Sequence, residues 1–144
     1  MATPQTGIFA QGTRVHHHLE FDLRSGVEPA RVLATLSPLR QPSVTAGGAN
    51  IVIGFGPALW RQIAPQAVPA ALGPFPDVEG VPVVPHDIWV WIHGTGEDVM
   101  LDLARAVAFV LAPIADLVTE IAGFVYHDSR DLTGFIDGTE NPPL

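Results

Sequence analysis

At 144 residues the chain has the length of one ordinary domain, large enough to bury a real core. Its formal charge of −8, with seven arginines and no lysine, argues against a nucleic-acid surface. Cysteine is absent, which excludes disulfides and thiolate metal sites. No apolar run reaches the roughly 18 residues of a membrane span; the longest candidate, 99–117, is broken by Asp102, Arg105, Pro113 and Asp116. Hydrophobic residues nevertheless make up 47% of the chain, a content that suits a piece packing against something else. Residues 1–11 lack the basic flank and apolar centre of a secretory signal, so a cytoplasmic location is the expectation.

Residues 1–13 read as an irregular arm. Over 15–23, Val15, His17, Leu19, Phe21 and Leu23 alternate with His16, His18, Glu20 and Asp22, the period of two that marks a half-buried strand. Ser25-Gly26 breaks it. A helix follows over 28–36, with Val32, Leu33 and Leu36 at helical spacing and Pro29 tolerated in its first turn. Pro38 and Pro42 end it. Ile51-Val52-Ile53 centre a short apolar strand over 49–55, and 57–63 has room for one or two helical turns. Six prolines between 64 and 86 predict an extended loop, read as an insertion within one domain.

The strand over 87–93 alternates Ile88, Val90 and Ile92 with Trp89, Trp91 and His93, so both of its faces should be covered. The best helix spans 98–111, with Leu101, Ala104, Ala108 and Leu111 as its apolar stripe and acidic residues in its first turns. Pro113 ends it, and 117–126 gives the last strand. The order strand, helix, strand, strand, helix, strand is that of an α+β, ferredoxin-like βαββαβ domain: a four-stranded antiparallel sheet with both helices on one face.

Directly after the last strand comes the densest cluster of special residues in the chain, Asp128-Ser129-Arg130-Asp131-Leu132-Thr133-Gly134-Phe135-Ile136-Asp137-Gly138-Thr139-Glu140-Asn141-Pro142. Gly134 and Gly138 permit positive φ or the close approach of a ligand. Asp137, between apolar Ile136 and Gly138, has two readings. It closes an Asp-Gly turn, or it is a carboxylate whose apolar surroundings suit it to proton transfer.

The string DSRDLTGFIDGTENP closely resembles the signature of the dye-decolourising (Dyp-type) haem peroxidases, built around Gly-Phe-x-Asp-Gly-Thr-x-Asn-Pro. The opening Pro4-Gln5-Thr6-Gly7-Ile8-Phe9 and the run of elements also look like that family. The resemblance implies a ferredoxin-like fold and, in the complete enzyme, haem b with hydrogen peroxide and an aromatic reductant such as a dye or phenol as partners. It assigns Asp137 the shuttling of a proton between the two peroxide oxygens. An ordinary aspartate pKa of about 3.9 would then favour an acidic optimum. Ile136, Gly138, Thr139, Glu140 and Asn141 would line or contact the haem, Gly138 because a missing Cβ lets backbone approach a flat macrocycle. Asn141 before Pro142 reads equally well as the start of a turn.

Family members continue into a second half of similar size that carries the proximal histidine and the distal arginine. The expectation is therefore one domain over 1–144 with that half absent, no metal ligand among the six histidines, and little turnover by the chain alone. His16 and His18 share a strand face but read as solvated. His86 and His93 read as surface or satisfied core residues, and His127 as the one worth testing. Trp89, Trp91 and Tyr126 are expected to serve packing rather than electron relay, and Arg130 and Asp131 to fix the loop's shape. The alternative function is a non-enzymatic ferredoxin-like interaction or oligomerisation domain from a truncated peroxidase, with an open apolar face that drives self-association. On either reading a homo-oligomer is expected, with neither nucleic acid nor membrane as partner.

Overall fold

The computed structural model describes residues 3–40, 48–69, 79–80 and 85–135. The strands are β1 (Val15–Leu23), β2 (Asn50–Phe55), β3 (Ile88–Gly94) and β4 (Ala115–Phe124); the helices are α1 (Pro29–Leu36), α2 (Pro57–Ile63) and α3 (Glu97–Leu111). The sheet runs β2-β3-β1-β4 with every pairing antiparallel. This is the expected ferredoxin-like arrangement, with α2 as a short addition in the β2–β3 connection. β4 starts and stops two residues earlier than its sequence pattern suggests. A bulge lies opposite Glu20 and Phe21, where Glu20 pairs with Thr119 and Phe21 with Leu117, leaving Val118 unmatched.

The strict alternation of β1 puts Val15, His17, Leu19 and Phe21 in the core. There they meet Ile88, Val90 and Ile92 of β3, and Val32 and Leu36 of α1. α3 turns a different face inward from the one its stripe predicts. Met100, Ala104, Val107 and Leu111 are buried, whereas Leu101 is 41% exposed. Both sets recur at helical spacing, so spacing alone could not choose between them. Gly94 decides it: a Cβ there would lie 2.7 Å from Met100 Cε, so the missing side chain is the space that Met100 fills. Leu33 of α1, expected in the core, is likewise 45% exposed.

The N-terminal arm is more ordered than its composition suggests. Thr6–Phe9 form a 3-10 turn that lies against β2, so close that a Cβ on Gly7 would stand 2.8 Å from the Ile51 carbonyl oxygen. The Gln5 side chain donates to the Ile53 carbonyl at 2.6 Å and accepts from the Ile53 N–H at 2.8 Å. One amide thus satisfies both backbone groups of an edge residue, closing that side of the sheet to further pairing. On the opposite edge, β4 pairs with β1, and Val118, Ile121 and Phe124 are 50%, 57% and 66% exposed.

Candidate functional site

β4 delivers the chain into a tightly wound loop over 126–135. Arg14 at the start of β1 fixes its beginning, accepting from the Val125 N–H at 2.7 Å and donating its guanidinium to the carbonyls of Val125 and His127 at 3.2 and 3.0 Å. His127 (φ 47°), Ser129 (φ 71°) and Gly134 (φ 93°) all take left-handed backbone conformations. For the two non-glycine residues this costs roughly 1–2 kcal/mol each, so surrounding contacts must hold them. Arg130 supplies many of these: its Nε and Nη2 donate to the two Asp128 carboxylate oxygens at 2.7 and 3.1 Å, and its Nη1 to the Gly134 carbonyl at 2.9 Å. Asp131 Oδ1 accepts from the backbone N–H groups of Thr133 (2.8 Å) and Phe135 (3.2 Å) and from the Thr133 hydroxyl.

The electrostatics follow from these bonds. Arg130 holds the Asp128 carboxyl below the usual range, and the Thr133 donors do the same for Asp131. The shape-fixing roles expected of Arg130 and Asp131 are those observed. Leu132 and Phe135 project outward, 78% and 74% exposed, immediately ahead of Ile136.

The sheet face turned away from α1 and α3 carries a ladder of rings. β1 contributes His16 and His18, and β3 contributes Trp89, Trp91 and His93. The pairing sets His16 opposite His93 and His18 opposite Trp91. Trp91 stacks on His93 with centroids 3.9 Å apart, on His16 at 5.9 Å and on His18 at 6.1 Å, with interplanar angles of 17°, 14° and 5°. His18 stacks in turn on Trp89 at 5.7 Å. His16 and His18 are therefore half-buried ring partners, not the solvated side chains that β1 alone suggests.

Burial lowers the pKa of His16, His18 and His93, and mutual repulsion adds to the effect for His16 and His93. Trp91 Nε1–H donates to His16 Nδ1 at 3.1 Å. The ladder lies across two strands, so its only sequence signal was the pairing of two alternating segments, one rich in histidine and one in tryptophan.

The other histidines are accounted for. His17, on the core face, is 8% exposed, with Nδ1 lacking a hydrogen-bond partner and lying 3.7 Å from Glu120 Oε1. It lines a half-open groove of about 450 Å³ with Val15, Glu97, Leu101, Ala122 and Phe124. His86 is held by Asp22 (Nδ1 to Oδ1, 2.9 Å) and lies 3.8 Å from Glu20. His93 is buried as a core residue but only half satisfied: its Nδ1 lies 3.3 Å from the Thr13 hydroxyl, whereas its Nε2 has no hydrogen-bond partner among the described residues. His127 is exposed against the Tyr126 ring. Among the described residues, no group of three or more histidines and carboxylates could hold a metal ion, and no helix is long and apolar enough to cross a membrane. The predicted site residues Ile136, Asp137, Gly138, Thr139, Glu140 and Asn141 lie outside the described residues.

Residues 5–125 match the family model for the N-terminal part of Dyp-type peroxidases. The chain is 37% identical over 133 residues to a dye-decolorizing peroxidase of Rhodococcus erythropolis, covering 86% of this chain and 39% of that one. A second, from Brevibacterium linens, is 39% identical over 97 residues, 65% of this chain and 26% of the other. Among solved structures, a Rhodococcus jostii DypB variant in complex with heme superposes with a TM-score of 0.82 at 30% identity, covering 97% of this chain and 48% of that one. The encapsulated DyP-type peroxidase from Mycobacterium smegmatis gives 0.77 at 27% identity, with 98% and 49% covered. The chain thus spans about half the length of the solved structures it resembles and less of the curated relatives. With matching fold, matching residues and the loop that leads into its signature, the chain belongs to the Dyp-type peroxidase family, to whose N-terminal portion it corresponds.

Proposed function

We propose that this chain is the half of a haem-dependent dye-decolourising peroxidase that carries the proton-shuttling carboxylate, Asp137. The observation that carries this reading is continuity: the family match over 5–125 is followed by the loop that Arg130 braces over 126–135 and, in the sequence, by a complete Gly-Phe-Ile-Asp-Gly-Thr-Glu-Asn-Pro string. Asp137 would take the proton from one oxygen of hydrogen peroxide and give it to the leaving oxygen as the O–O bond breaks, so a single carboxyl acts as base and then acid. Ile136, Gly138, Thr139, Glu140 and Asn141 would contact the cofactor, with Gly138 offering bare backbone to a flat ring. Haem b, when bound, supplies the redox chemistry.

Arg130 braces the loop over 126–135 that leads, in the sequence, into Ile136 and Asp137. The family resemblance assigns the axial histidine to the second half; of the histidines here, His16 Nδ1 accepts from Trp91, His86 is held by Asp22, and His18 is stacked between two indoles. An aromatic reductant, a homo-oligomeric state and a cytoplasmic location go with this reading; the exposed apolar edge of β4 supports the second of them.

The experiment is complementation: the 144-residue chain is mixed with haem and a separately produced C-terminal half of the Rhodococcus erythropolis relative. The expected result is a Soret band and peroxide-dependent dye bleaching from the mixture, with little turnover from either half alone. Robust bleaching by this chain alone, or no haem uptake by the mixture, would overturn the proposal.

A further inference from the structure

We propose that Trp91 and His16 form a proton-coupled redox pair, in which one-electron oxidation of the Trp91 indole is accompanied by transfer of its Nε1 proton to His16 Nδ1. Indole is a donor only, so the 3.1 Å bond from Trp91 Nε1 requires an unprotonated Nδ1 on His16. The neutral ring then carries its proton on the other nitrogen, and a backbone hydrogen bond to Thr13 restrains it. Donor, acceptor and the partner beyond it are therefore fixed before any electron moves.

The chemistry balances simply. Trp91 loses one electron to the oxidant, its Nε1–H bond breaks, and a new Nδ1–H bond forms on His16, giving a neutral indolyl radical beside an imidazolium. When a reductant returns the electron, the proton goes back. An indole radical cation is a far stronger acid than indole, so an imidazole already at hydrogen-bond distance lets the proton leave without waiting for solvent.

The groups facing His16 are His93 and Trp91 from β3, His18 from its own strand and Gly123 from β4, with Glu20 the nearest acid along the β1 face. Trp89, 6.2 Å from Trp91 between ring centroids, offers a second indole with which the hole can be shared. The biological oxidant would be the high-potential one-electron oxidant that the peroxidase activity supplies, and to that extent the inference rests on the function proposed above. The pair itself requires only the described residues.

The test uses the 144-residue chain with no haem, so its outcome is separate from that of the complementation experiment. Trp60→Phe and Trp89→Phe leave Trp91 as the only indole, and a ruthenium(III) polypyridyl complex generated by a laser flash serves as oxidant. The expected product at neutral pH is the neutral indolyl radical, formed with a solvent deuterium isotope effect, and its rate should fall as His16 becomes protonated in acid. Adding His16→Leu should make the radical cation visible and slow its deprotonation by about a hundredfold, the lower end of general-base effects. A long-lived radical cation in the chain that retains His16, or deprotonation equally fast without it, would overturn the proposal. If the His16→Leu protein does not fold, the isotope effect and pH profile of the His16 protein decide alone: their absence refutes the pair.

Discussion

Arg130 and Asp128 are joined by two charge-assisted hydrogen bonds, Nε to Oδ1 at 2.7 Å and Nη2 to Oδ2 at 3.1 Å, across a turn of three residues. The same guanidinium reaches the Gly134 carbonyl, so one side chain braces both ends of the loop that leads into the family signature. Arg130→Leu should release Asp128 from its lowered pKa, moving it up toward the ordinary 3.8, as followed by NMR titration of the carboxylate. Limited proteolysis should then cut within 126–135 faster than in the parent. An unchanged Asp128 titration would mean that the pair does not persist in solution.

The ring ladder makes stability depend on pH on the acid side. His16, His18 and His93 all have pKa values below 6.5 in the folded chain, so the unfolded chain takes up their protons first as pH falls. Their contribution is complete above about 6.5, declines as pH drops through that unfolded value, and levels off below the folded values. Thermal midpoints should therefore fall between about pH 7 and 5, and His18→Phe should flatten the fall. Asp128 and Asp131, whose pKa values are lowered, act in a separate window, losing their contribution only as pH drops below the carboxylate range.

The orientation of α3 can be checked with two neighbouring substitutions. Met100 is fully buried against Gly94, and Leu101 is 41% exposed. Met100→Ala should cost about 2–5 kcal/mol, and Leu101→Ala about 1 kcal/mol or less, by urea denaturation. The reverse order would show that the helix packs on its other stripe.

The two sheet edges should behave differently. Gln5 blocks β2, whereas β4 offers an apolar edge with Ile121 and Phe124 exposed. Sedimentation at rising concentration should show self-association, and Ile121→Lys should shift the protein toward monomer by placing a charge on that edge. A parent that stays monomeric at high concentration would contradict this.

Much of this molecule was legible before its structure. The strand over 15–23 has the bounds its strict alternation predicts, and the order of elements leads directly to the observed sheet. What escaped needed contacts between segments. The face of α3 is chosen by a space at Gly94 on another element. His16 and His18 looked solvated because nothing within β1 indicates that Trp91 and Trp89 stand beside them. The signature was readable only as a string, by resemblance, and its residues from Ile136 to Asn141 lie outside the described residues.

Asp137 is the residue on which the functional proposal stands. In the complemented peroxidase, Asp137→Asn keeps the shape of the side chain and removes its proton-transfer capacity. Stopped-flow measurement of the reaction with hydrogen peroxide should then show a loss of about 10²–10⁴-fold, with haem uptake retained. A variant that reacts with peroxide as fast as the parent would contradict the assignment of Asp137 as the proton shuttle.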